Sequence, residues 1–476
     1  MSKKTVFGAF INSSGSILTI LAGIISFPLL TRLLSANDYG LMSLLSTTVL
    51  LCVGFSKLGI QQALVRLWKS DEKLNLIAFS TAFYGVLIIS IAVVVITLLF
   101  LSIYLSRLRA ENTLLLALMG GIILFEALKS ILINKEFSLE KTVRFNIAKV
   151  FHKYIYILVA IALLMTINSG VDDIFIGFYT ASVIIFAWLY VSDKKMVPSF
   201  KLFDAKLLKQ MTAFGFPLLI VEIIDQALSF SDRYLIAYFL DFAAVGQYSA
   251  AYGLLVNVQS VVISTLSLTI APIVVRKYNE NGDNGVQEFL NDSLKNYCCV
   301  GSAIALGLFI VGPDIFILLA SSRYEPAIPL LKPIAAAYFF YGIYIIAAYT
   351  LFIHKRTILA AMIMATAAVV SITGNIILLP KIGVMGAAVS ILMAYATLAI
   401  IGCWLMWRVR FLMGILALIP HLLPSVVMYG TLYLLPASRD WMSVGYRVVV
   451  GCTIWMLICT LCYKEARMSL MKIVNK

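Results

Sequence analysis

Polar chain is what this sequence has least of. Charged residues make up 13% of it, against about 25% in ordinary soluble domains. No segment between the apolar runs is long enough to fold into a catalytic domain in water. No G-x-x-x-x-G-K-[ST] run occurs either, so the phosphate-cradling loop of a nucleotide-driven pump is missing. Histidine is limited to His152, His354 and His421, on different helix ends, where loop anchoring is expected rather than convergent metal ligation. The seven cysteines lie in or beside apolar runs. Cys459 and Cys462 have CxxC spacing without a partner His or Cys, so packing is expected in place of a metal or redox site.

What the chain has is hydrophobic length. Hydrophobic residues are 62% of it, and fourteen stretches between 11–34 and 445–463 reach the roughly 20 residues a spanning helix needs. The runs are continuous rather than alternating, so helices, not a barrel, satisfy the backbone in lipid. The expectation is an all-α integral membrane protein with about fourteen transmembrane helices. The net charge of +14 then calls for placement before interpretation. With the N-terminus inside, 26 of the 37 lysines and arginines fall on inner loops and helix ends. That bias puts both termini in the cytoplasm, and it makes the basicity topological rather than a nucleic-acid footprint. Lys3 and Lys4 before the first run resemble a signal peptide, but the run continues to Leu34, and an uncleaved first span is expected.

The two longest connections, Asp193–Ala213 and Arg276–Asn296, are both assigned to the cytoplasm. Phe200–Met211 reads as a basic amphipathic stretch lying on the inner membrane surface. The tail 464–476 reads as a weaker interfacial segment. Sliding the chain by 206 residues lays Gly40 on Gly246, Ser43 on Ser249, Gly177 on Gly383 and Ala181 on Ala387. The same shift lays span 1 on span 7, span 2 on span 8 and span 6 on span 12. Six spans per repeat keep both halves in one orientation, as in transporters built from parallel repeats. The expected architecture is an N-lobe at 1–200, a C-lobe at 201–407 and a two-helix appendage with a basic cytoplasmic tail at 408–476. The two six-helix lobes are expected to be pseudo-symmetric about a central cavity.

Four segments carry a family resemblance, in order along the chain. They are Pro28–Leu41 at the end of span 1, Leu58–Arg66 after span 2, Asp232–Tyr252 across spans 7 and 8, and Gly374–Ala388 between spans 11 and 12. With the fourteen spans, they make the chain similar to the polysaccharide flippase branch of the multidrug/oligosaccharidyl-lipid/polysaccharide exporter superfamily. The resemblance implies export of undecaprenyl-pyrophosphate-linked oligosaccharide units from the inner to the outer leaflet. Such units serve O-antigen or capsule synthesis. It also implies a bacterial inner membrane, alternating access, no cofactor, a monomer, and other polysaccharide-assembly membrane proteins as partners beside the lipids.

Charges inside spans are costly and usually face a cavity or a partner. Arg32, Lys57 and Arg66 are expected to line the N-lobe side of the cavity and to suit a pyrophosphate; for Arg32 and Arg66 the plain alternative is snorkelling at the interface. Lys129 is a fourth candidate cation, although Glu126, three residues before it, could pair with it. Glu222 and Asp225 stand one turn apart on span 7. Together with Glu126 they are candidates for coupling H⁺ or Na⁺, unless they pair with Arg233 or a neighbouring helix. Tyr338, Tyr341 and Tyr344 run down one face of span 10, where they could contact sugars or simply pack.

Two rival readings remain at this point. A multidrug or cation antiporter of the same superfamily usually has twelve spans and lacks the cationic bias of spans 1 and 2. A membrane polymerase or glycosyltransferase generally needs a sizeable outer loop with acid and base residues. Here those loops are short and poor in carboxylates, so no enzyme activity is expected.

Overall fold

The structure is a computed structural model that describes residues 3–69, 71–107, 113–167, 170–193, 196–408, 415–436 and 438–462. The basic tail expected at 464–476 lies outside them. Among the described residues every regular element is helical. In order they are α1 (Lys3–Leu33), α2 (Ala36–Lys57), α3 (Ile60–Leu67), α4 (Glu72–Arg107), α5 (Thr113–Ser138), α6 (Thr142–Thr166) and α7 (Val171–Val191). Then follow α8 (Ala205–Phe239), α9 (Phe242–Ile310), α10 (Gly312–Ala320), α11 (Ile328–Ile353), α12 (Thr357–Ile382), α13 (Met385–Arg408), α14 (Leu423–Leu434) and α15 (Trp441–Cys462).

Among the described residues twelve helices are long and apolar enough to cross a membrane. The 69-residue α9 is broken at Gly282, whose φ of 59° and ψ of −147° leave the helical region. Its two arms pack on each other through Ile270, Val274, Val286 and Leu290. Counting the arms separately, with the short apolar helix Leu418–Leu434, gives fourteen apolar crossings. The chain is thus a multi-pass membrane protein. The Arg276–Asn296 connection, expected as loop, is helical on both sides of this turn. Hydropathy marks where lipid ends, not where the helix ends.

The chain divides into two compact units, Met1–Phe230 and Ser231–Lys476, with the division inside α8. The stretch Phe200–Met211 is not a separate surface helix. A short turn at Phe200–Leu202 precedes α8, whose start is set by Asp204: its Oδ1 accepts from the backbone of Lys206 at 2.8 Å and Leu207 at 3.2 Å. Such a side-chain cap satisfies the first orphan N–H groups and lets the helix run on, through Pro217 to Phe239.

In the first unit α4, α5, α7 and the start of α8 enclose a core of Phe79, Phe83, Leu128, Ile131, Ile185 and Met211. α1 lies on α6, and α6 on α7. α2 ends at Leu58 and Gly59, both left-handed (φ 45° and 72°). A side chain at Gly59 would run into the Gly215 backbone of α8, so only glycine permits both the turn and this approach. In the second unit α11 is central, packed by α9 and α13, with α12 against α13. α14 lies against α9 and α15. One detail follows the 206-residue repeat. Ser35 caps α2 and Asp241 caps α9, each accepting from a backbone N–H three residues on.

Candidate functional site

Lys57 ends α2 where the left-handed turn stops the helix, and its Nζ meets Glu222 Oε1 of α8 at 3.2 Å. Gln226 Nε2, one turn further along α8, reaches the same oxygen at 3.4 Å. A cation and a carboxylate expected in separate roles therefore hold each other. Asp225 is exposed on the same helix. Arg66, also exposed, lays its guanidinium 4.4 Å from the Phe214 ring. Arg32 is exposed in the last turn of α1.

Deeper in this unit, Glu126 gathers three donors on one oxygen. Lys129 pairs with it from the same helix, His152 Nε2 stands 2.9 Å away from α6, and Ser182 Oγ donates at 2.6 Å from α7. Helix spacing accounts for Lys129. His152 is no loop anchor: it lies within α6 and faces the carboxylate. At one end of the same bundle, Lys135 and Glu136 are 1% and 0% exposed and pair at 3.3 Å. Lys135 also stands 3.7 Å from Asp193, which takes Lys141 at 3.0 Å. Burial alone would raise the Asp193 pKa. Donation by Lys141 and the charges of Lys135, Lys141 and Arg144 outweigh it and hold the carboxyl below the usual range.

The second unit treats its buried charge differently. Asp232 is 0% exposed and accepts from three neutral donors. Tyr248 Oη of α9 stands at 2.5 Å, Asn375 Nδ2 of α12 at 2.7 Å, and Ser371 Oγ at 3.3 Å. Arg233 lies over the Tyr252 ring at 5.0 Å. An aromatic chain continues from Tyr252 to Tyr338 and Tyr395, with Tyr341 stacked on Tyr395 at 4.8 Å. Tyr338 and Tyr344 are both 3% exposed, their rings taken up by helix packing, and Tyr341 keeps a half-buried ring. Further along, Arg447 of α15 pairs with Asp314 of α10 at 2.5 Å. It borders an apolar recess of about 290 Å³ between α9, α14 and α15.

In the sequence Asp232 stands out only as the start of the Asp232–Tyr252 segment, with no role of its own. The missed signal lies in its partners, because Tyr248, Ser371 and Asn375 are neutral and look unremarkable one at a time. The Asp314–Arg447 pair was missed because its members are 133 positions apart.

Among the described residues, membrane-length helices with polar groups sequestered between them define a multi-pass helical membrane protein. The model of the polysaccharide biosynthesis protein family matches residues 6–278, and the chain belongs to that family. It is 22% identical over 82% of its length to an uncharacterized membrane protein, MJ1068, of Methanocaldococcus jannaschii, covering 85% of that protein. Its fold is similar to that of the lipid II flippase MurJ in an inward closed conformation. The TM-score is 0.79 at 17% identity, over 95% of this chain and 98% of the other. An inward-facing multidrug resistance MATE family transporter of the MOP superfamily matches with a TM-score of 0.63 at 14% identity, over 85% and 98% of the two chains.

Proposed function

We propose that the protein moves undecaprenyl-pyrophosphate-linked oligosaccharide units from the cytoplasmic to the outer leaflet of a bacterial inner membrane, for O-antigen or capsule assembly. Membership of the polysaccharide biosynthesis family carries the reading, and the MurJ-like fold supports it. In this reading both termini are cytoplasmic, and the protein works by alternating access as a monomer beside other assembly proteins. Arg32, Lys57 and Arg66 would meet the pyrophosphate, with Lys57 exchanging Glu222 for substrate, while Lys129 stays with Glu126. The apolar recess beside Arg447 suits part of an isoprenoid chain.

Net movement needs no nucleotide. One charge crossing 100 mV is worth about 2.3 kcal/mol. A pyrophosphate of roughly −2 leaving an inside-negative cell would gain about 4–5 kcal/mol per 100 mV. Glu222 and Asp225 remain the candidates for H⁺ or Na⁺ coupling on top of the potential, and Tyr341 for sugar contact, whereas Glu126 is held by its partners and Tyr338 and Tyr344 are packed away. Asp232 joins the coupling candidates as a fully buried carboxylate whose hydrogen bonds come from neutral donors and whose charge is met only through space by Arg233. Deleting the gene should make the undecaprenyl-linked glycan accumulate on the inner leaflet. Accumulation on the outer leaflet would instead indicate a polymerase or ligase.

A further inference from the structure

Four lysines of the first unit have a carboxylate partner: Lys57 with Glu222, Lys129 with Glu126, Lys135 with Glu136 and Lys141 with Asp193. The two lysines of α6 are held otherwise. Lys149 and Lys153 lie one turn apart on α6, seven and eleven residues from its start, or about 10 and 16 Å along the axis. Neither forms an ion pair among the described residues. Each has an aromatic ring instead: Lys149 Nζ is 4.0 Å from the Phe145 ring centre, and Lys153 Nζ 5.3 Å from that of Tyr156. A ring face attracts a cation but leaves its charge uncompensated.

Beside them is a built recess. Ser16 and Thr19 of α1 face Asn146 and Lys149 of α6 across a space of about 410 Å³. One end is closed by the contact of Gly15 with Asn146, so tight that any side chain at Gly15 would collide with the asparagine. Tyr154 Oη pins the two helices together by donating to the Leu18 carbonyl at 3.2 Å. A snorkelling lysine needs only a path to the surface. Here the Lys149 ammonium stands with hydroxyl and amide groups around a cavity wider than one water, with Lys153 one turn further along α6. Both helices begin on the side assigned to the cytoplasm, so the recess lies near the inner headgroup level.

We propose that the α1–α6 recess binds the phosphate or pyrophosphate headgroup of an anionic lipid from the inner leaflet. Lys149 on the recess wall, and Lys153 one turn beyond it, would supply the charge, with Ser16 and Asn146 as polar partners. This deepens the transport reading and rests on it for one point only, that the lipid concerned is the transported one.

The test uses the full-length protein in phosphatidylcholine nanodiscs, titrated separately with a polyprenyl pyrophosphate and with phosphatidylglycerol. The Lys149→Gln/Lys153→Gln variant should weaken pyrophosphate binding about tenfold or more, the equivalent of one charge-assisted hydrogen bond. Lys149→Arg/Lys153→Arg should restore it, and Lys277→Gln should leave it unchanged. Ser16→Trp, which fills the recess and keeps both charges, should weaken binding as well. Weakened binding of both lipids supports a general headgroup site, and weakened binding of the pyrophosphate alone supports a substrate site. Weakened binding of phosphatidylglycerol alone would overturn the assignment to transported lipid. Unchanged affinity for both would overturn the site. A wild-type protein that binds the pyrophosphate here but moves no glycan across vesicles would end the transport reading and leave the site standing.

Discussion

Glu126 in the first unit and Asp232 in the second are both carboxylates on membrane-length helices, yet they are held in different ways. Glu126 has a lysine on its own helix and a histidine and serine from two others. Asp232 has a tyrosine, an asparagine and a serine, all neutral. An ion pair is locked by both members, because removing either strands a buried charge. Asp232 also feels the charge of Arg233 beside it, but its hydrogen bonds are all to neutral groups, so it can still answer to a proton, a cation or a potential. The first arrangement stiffens a bundle, and the second leaves a responsive group.

The sharpest way to break this contrast is to remove one member of the locked pair. Glu126→Ala should cost about 3–5 kcal/mol in stability, read by thermal unfolding of purified protein. The double change Glu126→Met/Lys129→Met should recover most of that loss, and equal losses in single and double variants would sink the lock. Next in size, Asp232→Leu strands three donors and should cost about 1–3 kcal/mol. Asp232→Asn should unfold close to wild type while altering the dependence of transport on ions or potential. Unaltered dependence would remove Asp232 from coupling. A smaller effect is expected for Lys57→Met, whose pair is partly exposed: under about 1 kcal/mol in stability, with a larger fall in transport. The smallest concerns Asp193. Its folded pKa lies below the unfolded one, so its contribution is present at neutral pH and lost as pH falls through the folded value. Stability should therefore decline only in acid, below about 4, and Asp193→Asn should flatten that decline. A decline already present near neutrality would contradict this.

The spans were legible because lipid leaves a chain few options, and the turn between α12 and α13 was legible from Pro380 and Gly383, which takes φ 61°. Pairing was legible only where helix geometry set it, as for Glu126 and Lys129. Lys57 and Glu222 are 165 positions apart, and nothing local distinguishes that pairing from the expected alternative with Arg233. The tyrosines of α11 show the limit from the other side. Their spacing placed Tyr338, Tyr341 and Tyr344 near one face, but whether that face meets sugar or helix depends on Tyr252 and Tyr395, which spacing cannot supply. The helical continuation of α9 around Gly282 escaped notice because Arg276, Lys277, Glu280 and Asp283 interrupt hydropathy without interrupting the helix.

The most direct measurement places purified protein in vesicles carrying a fluorescent undecaprenyl-pyrophosphate oligosaccharide, with an imposed potential. Exposure of the sugar to an impermeant glycosidase is then followed over time. Protein-dependent crossing that quickens as the originating side is made more negative is the predicted result. Crossing no faster than in protein-free vesicles would contradict the account.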